Sequence, residues 1–165
     1  MQTQNHRPDT IELPGLFICS NEEETLALGM SFSGFLGKGG IVALKGSLGS
    51  GKTCFAKGIA KGLGIKETVT SPTYTIISEY ECVIAGEIVP FYHIDAYRLS
   101  GNDDFSSIGG KEIIYGNGIS VIEWSELIPD FIPPEAYTVD IEILSDGTRR
   151  ISIYKTGDRD ENSGY

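Results

Sequence analysis

Residues 46–53 read Gly46-Ser47-Leu48-Gly49-Ser50-Gly51-Lys52-Thr53, a complete G-x-x-x-x-G-K-[ST] phosphate-binding loop. The spelling follows from what a polyphosphate needs. Glycines let successive backbone N–H groups turn inward around an anion. Lys52 brings a cation to the β- and γ-phosphates, and a hydroxyl at the position of Thr53 serves as a magnesium ligand. The flanks agree with the motif. Ile41-Val42-Ala43-Leu44 is a short apolar run of the kind that forms a buried parallel strand. Beyond the loop, Phe55, Ile59, Ala60 and Leu63 recur at helical spacing, and Gly62 and Gly64 offer a stop. Strand, glycine loop and helix in that order aim a helix N-terminus at phosphate. The stretch therefore predicts an α/β fold of the P-loop NTPase type and a bound nucleoside triphosphate.

A chain of 165 residues suits one domain with a real core, and no repeat or low-complexity linker divides it. The expected organisation is a loose tail over residues 1–10, one domain over 11–155, and a disordered polar tail over 156–165. No apolar h-region opens the chain and no run approaches the roughly 20 residues of a membrane span, so neither a signal peptide nor a membrane protein is expected. Cys19, Cys54 and Cys82 are far apart and form no C-x-x-C pair. They make neither a disulfide framework nor a zinc site, and they fit a reducing cytoplasm. The net charge of −10 argues against a nucleic-acid binder using its whole surface. Charge is uneven, however: Lys38, Lys45, Lys52, Lys57, Lys61 and Lys66 fall in a stretch, 25–66, that contains no acid. A solvated helix face beside a phosphate site accounts for them better than an RNA-docking patch.

Around this centre the pattern predicts further elements. Ile11 to Cys19 reads as a weak strand broken by Pro14-Gly15. Ser20-Asn21-Glu22-Glu23 reads as a capping box with Ser20 as cap and Glu23 reaching back. The helix that follows has Leu26, Leu28, Phe32, Phe35 and Leu36 as apolar positions and ends at Gly37-Lys38-Gly39-Gly40. Tyr74 to Glu81 and Ile88 to Ile94 read as strands joined by a turn at Ala85-Gly86-Glu87, the second interrupted by Pro90. Asn102-Asp103-Asp104 caps a short helix through Ile108. Ile119 to Ile122 is a strand, and Tyr137–Leu144 and Arg150–Tyr154 form a hairpin around Ser145-Asp146-Gly147-Thr148.

Ligands in open α/β sheets sit at the carboxyl ends of the strands. Two apolar strands end in acids, Phe91-Tyr92-His93-Ile94-Asp95 and Val121-Ile122-Glu123. A carboxylate there holds magnesium or polarises an attacking water, and which acid does which stays open. Ser71-Pro72-Thr73 reads either as a switch segment near magnesium and phosphate or as a plain turn. His93 reads as a packed or hydrogen-bonded residue rather than a general base. Trp124 reads as core or interface, and Arg98 either steadies phosphate or pairs with an acid.

Taken together, Gly46–Thr53, Ser71-Pro72-Thr73-Tyr74, His93-Ile94-Asp95-Ala96-Tyr97-Arg98-Leu99 and Ile122-Glu123-Trp124-Ser125-Glu126 resemble the TsaE (YjeE) family over roughly residues 15–155. The resemblance implies a compact P-loop NTPase fold: a mixed, mostly parallel sheet flanked by helices, with a C-terminal antiparallel hairpin. It implies a cytoplasmic ATPase using ATP and Mg2+ that supports formation of threonylcarbamoyladenosine in tRNA. Its partners would be the TsaB and TsaD proteins, with tRNA contacted weakly or indirectly. By motif, Lys52 would hold phosphate, Thr53 and Glu123 would serve magnesium, and Asp95 would serve the nucleotide or the attacking water. Further nucleotide contacts would come from Gly46, Ser47, Leu48, Gly49, Ser50, Gly51, Cys54, Thr73, Glu22 and Arg149. Cys54 departs from the hydroxyl common in the family, at the loop's edge.

Two rivals share the loop. A small-molecule kinase usually closes an arginine-bearing lid over the phosphates, yet no arginine lies between Arg7 and Arg98. A binding module that holds ATP without hydrolysing it is the other. A regulatory GTPase is disfavoured because there is no N-K-x-D motif and Asp95-Ala96-Tyr97-Arg98 is not D-x-x-G.

Overall fold

The run Ile41–Leu44 becomes the middle of the molecule in a computed structural model that describes residues 3–4, 10–72 and 75–159. It extends to strand β3 (Ile41–Gly46), after Thr3–Gln4 (β1) and Gly15–Cys19 (β2). The remaining strands are β4 (Ile77–Ile84), β5 (Glu87–Asp95), β6 (Ile119–Glu123), β7 (Tyr137–Ile143) and β8 (Arg149–Lys155). They form one sheet in the order β1-β2-β8-β7-β3-β6-β5-β4. The inner block β7-β3-β6-β5 is parallel. Antiparallel β4 closes one flank, and antiparallel β8, followed by β2, closes the other. The expected mixed sheet with a C-terminal hairpin is thus present.

Side chains alternate across the sheet, and two cores result. Val42, Leu44, Phe91, Val121 and Val139 face one side, where they pack with helices α1 (Glu22–Phe32) and α2 (Lys52–Gly62) through Leu28, Phe32, Phe55 and Ile59. Ile41, Ile94 and Ile122 face the other, against α3 (Asn102–Ser107), α4 (Gly110–Ile114) and short 3-10 turns bearing Phe105, Ile114 and Phe131. The helices α1 and α2 cross at backbone distance. A Cβ on Gly58 would come within 2.3 Å of the Leu26 carbonyl, and one on Gly29 within 2.5 Å of that of Phe55. This crossing sets the start of α1 beside the start of α2.

Several expectations shift in detail. The cap of α1 is Asn21, not Ser20: its side chain accepts from Glu24 N–H at 2.9 Å, and the Glu24 carboxylate reaches back to Ser20 N–H at 2.6 Å. The reciprocal pattern survives one residue later, because Asn is as good a cap as Ser. Strand β2 starts only after Pro14, and β4 starts at Ile77, later than read; Tyr74 lies outside the described residues. Pro90 does not interrupt β5. It sits where that strand is paired on one side only, since pairing with β6 begins at Phe91. Gly101 caps α3, and Asp104 within it accepts from Ser100. Helix α4 lay below the threshold of pattern reading, with five residues and no period. Thr156–Asp158, read as part of a disordered tail, form a 3-10 turn whose Thr156 and Gly157 N–H groups bond Ala136 and Pro134.

Candidate functional site

The polypeptide leaves β3 through Gly46 at φ +152°. A side chain there would strike Ser50 Oγ at 2.5 Å and the Ile141 carbonyl at 2.6 Å, so only glycine makes the turn. Gly49 and Gly51, at φ +75° and +112°, continue the curl, and Gly51 caps α2. Leu48, at the tip, is exposed. The loop's N–H groups and the α2 N-terminus make an anion cradle. Its floor holds an unpaired polar atom: Ser50 Oγ is buried and has no hydrogen-bond partner among the described residues.

Lys52 is 5% exposed although it is charged. Its Nζ donates to the carbonyls of Gly46 at 2.7 Å and Ser47 at 2.9 Å, and lies 4.1 Å from the centre of the Trp124 ring. Burial lowers its proton affinity, and Glu123, Glu126 and Asp95 pull it back up. Trp124 follows β6 in the left-handed region, at φ +56°, which swings its ring over the lysine and against Tyr97 at 5.0 Å. It belongs to the site's wall and is not simply core.

The strand-end acids arrive together. Asp95 and Glu123 are register partners on β5 and β6. Glu123 is almost fully buried and accepts at both oxygens: from Thr53 Oγ1 at 2.8 Å on Oε1, and from His93 Nε2 at 2.6 Å on Oε2. Asp95 is only half-buried and accepts from the Tyr97 N–H at 3.0 Å. Burial raises its carboxyl group above the ordinary aspartate range, the Tyr97 N–H works against this, and neighbouring Glu123 adds to it.

These groups line a cleft of about 610 Å³ that also takes in Glu22, Cys54 and Ser71. Cys54 Sγ donates to the Glu22 carbonyl at 3.3 Å, and burial raises its thiol. Arg149, expected from the resemblance to contact nucleotide, lies beside the phosphate loop. Its guanidinium donates to the carbonyls of Ser50 at 2.8 Å, Gly49 at 3.2 Å and Gly147 at 2.5 Å, tying the last strand to the phosphate loop from behind. Thr73 lies outside the described residues, and Arg98 is exposed and outside the cleft's lining. Lys57, Glu23 and Leu26 also line the cleft but had no motif to announce them. The available signal for Lys57 was its place in the acid-free lysine stretch 25–66.

The residues fit a nucleoside polyphosphate with magnesium. The cradle has glycines at positive φ, a buried lysine and a buried hydroxyl with no hydrogen-bond partner among the described residues. Beside it, the Thr53 hydroxyl and Glu123 carboxylate form a pair of hard oxygen donors. Among the described residues no group of three or more His, Cys, Asp or Glu could hold a metal ion.

Comparison with known proteins places the chain in a family. Residues 19–151 match the family model described as threonylcarbamoyl adenosine biosynthesis protein TsaE. The chain is 40% identical over 136 residues to the tRNA threonylcarbamoyladenosine biosynthesis protein TsaE of Treponema pallidum, covering 82% of this chain and 97% of that one. It is 39% identical over 141 residues to the protein of the same name from Bacillus subtilis, covering 86% and 85%. Among solved structures, Bacillus subtilis YdiB superposes with a TM-score of 0.69 at 35% identity, covering 87% of this chain and 86% of that one.

Proposed function

The chain belongs to the TsaE family of threonylcarbamoyl adenosine biosynthesis proteins, and from that premise we propose that it binds ATP with magnesium in this cleft and hydrolyses it. The observation that carries the reading is the hydrogen bond from Thr53, on the phosphate-loop helix, to Glu123 at the end of β6, with Lys52 alongside. The contact joins the loop that cradles phosphate to the strand end that supplies a carboxylate. Backbone N–H groups of 46–53 and the Lys52 ammonium bind the phosphates. Thr53 and Glu123 would hold magnesium, which would supply positive charge against the phosphate oxygens. Asp95 orients the attacking water, a task for which burial suits it by making its carboxylate more basic. Trp124 covers Lys52 and excludes solvent from its flank.

On this reading, hydrolysis supports repeated turnover by a TsaB–TsaD complex in the cytoplasm, and this chain does not itself transfer the threonylcarbamoyl group. Support for a soluble partner comes from two observations: among the described residues no helix is long and apolar enough to cross a membrane, and the three cysteines are unpaired. With a net charge of −10 the chain lacks the usual electrostatic drive toward RNA, so tRNA is contacted through the partners. Ser71 lines the cleft, so nucleotide can act on the Ser71-Pro72 segment and through it on a protein-facing surface.

The test is ATP turnover by the chain alone, then with TsaB, TsaD and tRNA, beside a pull-down with ATP, a slowly hydrolysed analogue or ADP. Turnover should rise with the partners, and capture should be strongest with ATP or the analogue. Bound ATP that stays intact with every partner present would favour a non-catalytic binding module instead. Tight, salt-sensitive tRNA binding by the isolated chain would make the 38–66 lysines an RNA surface.

A further inference from the structure

We infer that His93 is the positioning residue for the magnesium carboxylate: a fully buried imidazole that holds Glu123 in one rotamer so that Glu123 and Thr53 present their oxygens together. The inference rests on the nucleotide–magnesium reading above.

His93 lies on β5 and Glu123 on β6, which run parallel with His93 paired to Val121. Residues 93, 121 and 123 share the face of the sheet that carries α2, because alternate residues on a strand point the same way. His93 is 0% exposed, so its ring has no solvent role. Its Nε2 lies 2.6 Å from Glu123 Oε2, while Thr53 Oγ1 lies 2.8 Å from Oε1. A carboxylate only accepts, so the imidazole hydrogen sits on Nε2. The ring's other nitrogen, Nδ1, is buried with no hydrogen-bond partner among the described residues. The contact with Glu123 is thus the ring's one hydrogen bond among the described residues.

The arrangement has a purpose that packing does not explain. An apolar side chain at 93 would fill the same core position between neighbouring strands. A glutamate has three side-chain torsions, and at a strand end it would otherwise be free to swing into the cleft toward Lys52. Gripping it at one oxygen by a strand neighbour and at the other by the phosphate-loop helix fixes it before any metal arrives. Partners of this kind, once lost, typically weaken metal binding by about 10–100-fold.

The test uses the full chain and Trp124, its only tryptophan and a wall of the cleft, as reporter. Trp fluorescence is titrated with MgCl2 at fixed ATP, and separately with ATP in EDTA, for the parent, His93→Gln, His93→Asn and His93→Leu. The half-saturating Mg2+ concentration should rise by roughly tenfold or more in His93→Leu, with ATP affinity in EDTA unchanged. His93→Gln, whose amide nitrogen reaches the Nε2 position, should restore most of the loss. His93→Asn, one methylene shorter, should not. If His93→Leu fails to fold, the contrast between Gln and Asn decides alone. Equal Mg2+ half-saturation in the variants and the parent overturns the role of His93. A parent whose nucleotide response is indifferent to Mg2+ overturns the underlying site reading, and this inference with it.

Discussion

Asp95 and Glu123 close adjacent parallel strands and sit opposite each other in register, yet the molecule treats them differently. Glu123 is buried and gripped at both oxygens, by the phosphate-loop helix on one side and β5 on the other. Asp95 stands at the rim, half-exposed, with the N–H of Tyr97 two residues on as its hydrogen bond among the described residues. A gripped carboxylate keeps its geometry and is suited to an ion with strict demands on ligand placement. A carboxylate at the rim, raised in basicity by burial, is suited to a mobile water. The pair shows how one strand-end pattern yields two environments, decided by which neighbours each acid meets, and the two proposed roles rest on that difference.

The largest test of this division removes what both acids face. Lys52→Ala should lower ATP turnover on the order of a hundredfold or more, with the fold intact by circular dichroism. Near-parental turnover would dissolve the site in which the comparison has meaning. Next come the acids themselves. Asp95→Asn should bind ATP within a fewfold of the parent but hydrolyse it roughly a hundredfold more slowly. Glu123→Gln should instead need about tenfold more Mg2+ for half-maximal turnover, recovering in part at saturating metal. Single-turnover kinetics across a Mg2+ series would show the two patterns, and identical patterns would erase the distinction.

Arg149→Ala sharpens the comparison from outside, because it loosens the loop that faces both acids. It should destabilise the protein by about 1–2 kcal/mol, seen in urea melts, and weaken ATP binding without altering Mg2+ dependence. A selective effect on metal would mean that the latch serves one acid only. The smallest effect concerns stability and pH. Because burial raises the Asp95 carboxyl, the folded state holds its proton more readily than the unfolded chain. Its contribution to stability is therefore present below the ordinary value of 3.8 and lost as pH rises through the raised value. Asp95→Asn should melt higher than the parent at pH 7.5, on the order of 1–2 °C, with the gap closing toward pH 4. A lower melting temperature at pH 7.5 would mean that this carboxylate stabilises the fold.

Much of this was legible beforehand for physical reasons. The β3–loop–α2 unit is local: eight residues and two flanking patterns specify it, and no distant partner is needed to recognise it. Strand ends at Asp95 and Glu123 were readable because apolar runs stop there. What escaped depends on contacts between distant residues. The grip of His93 on Glu123 requires β5 and β6 to be neighbours in a particular register, and sequence spacing does not carry register. Arg149 was singled out, but its role as a latch on the Ser50 and Gly49 carbonyls depends on where β8 enters the sheet. The cap moved from Ser20 to Asn21 because two good capping residues stand side by side. Trp124 turned out to wall the site because of a single left-handed residue conformation, which no propensity for tryptophan would suggest.

The order of strands has a further consequence, for the chain as it is being made. β2 is synthesised early, but its antiparallel neighbour is β8, with Gly15 set opposite Ile153. At about 5–20 residues per second, the ribosome delivers that partner on the order of ten seconds later. For most of that interval the phosphate loop already exists, while Arg149, which fastens it, has not been translated. The nascent protein can assemble β3, α2, β5 and β6 in turn, but its phosphate loop is fastened only once β8 has emerged. The fastened loop therefore waits on residue 149, and a chain halted before it carries the motif without the latch that holds it in shape.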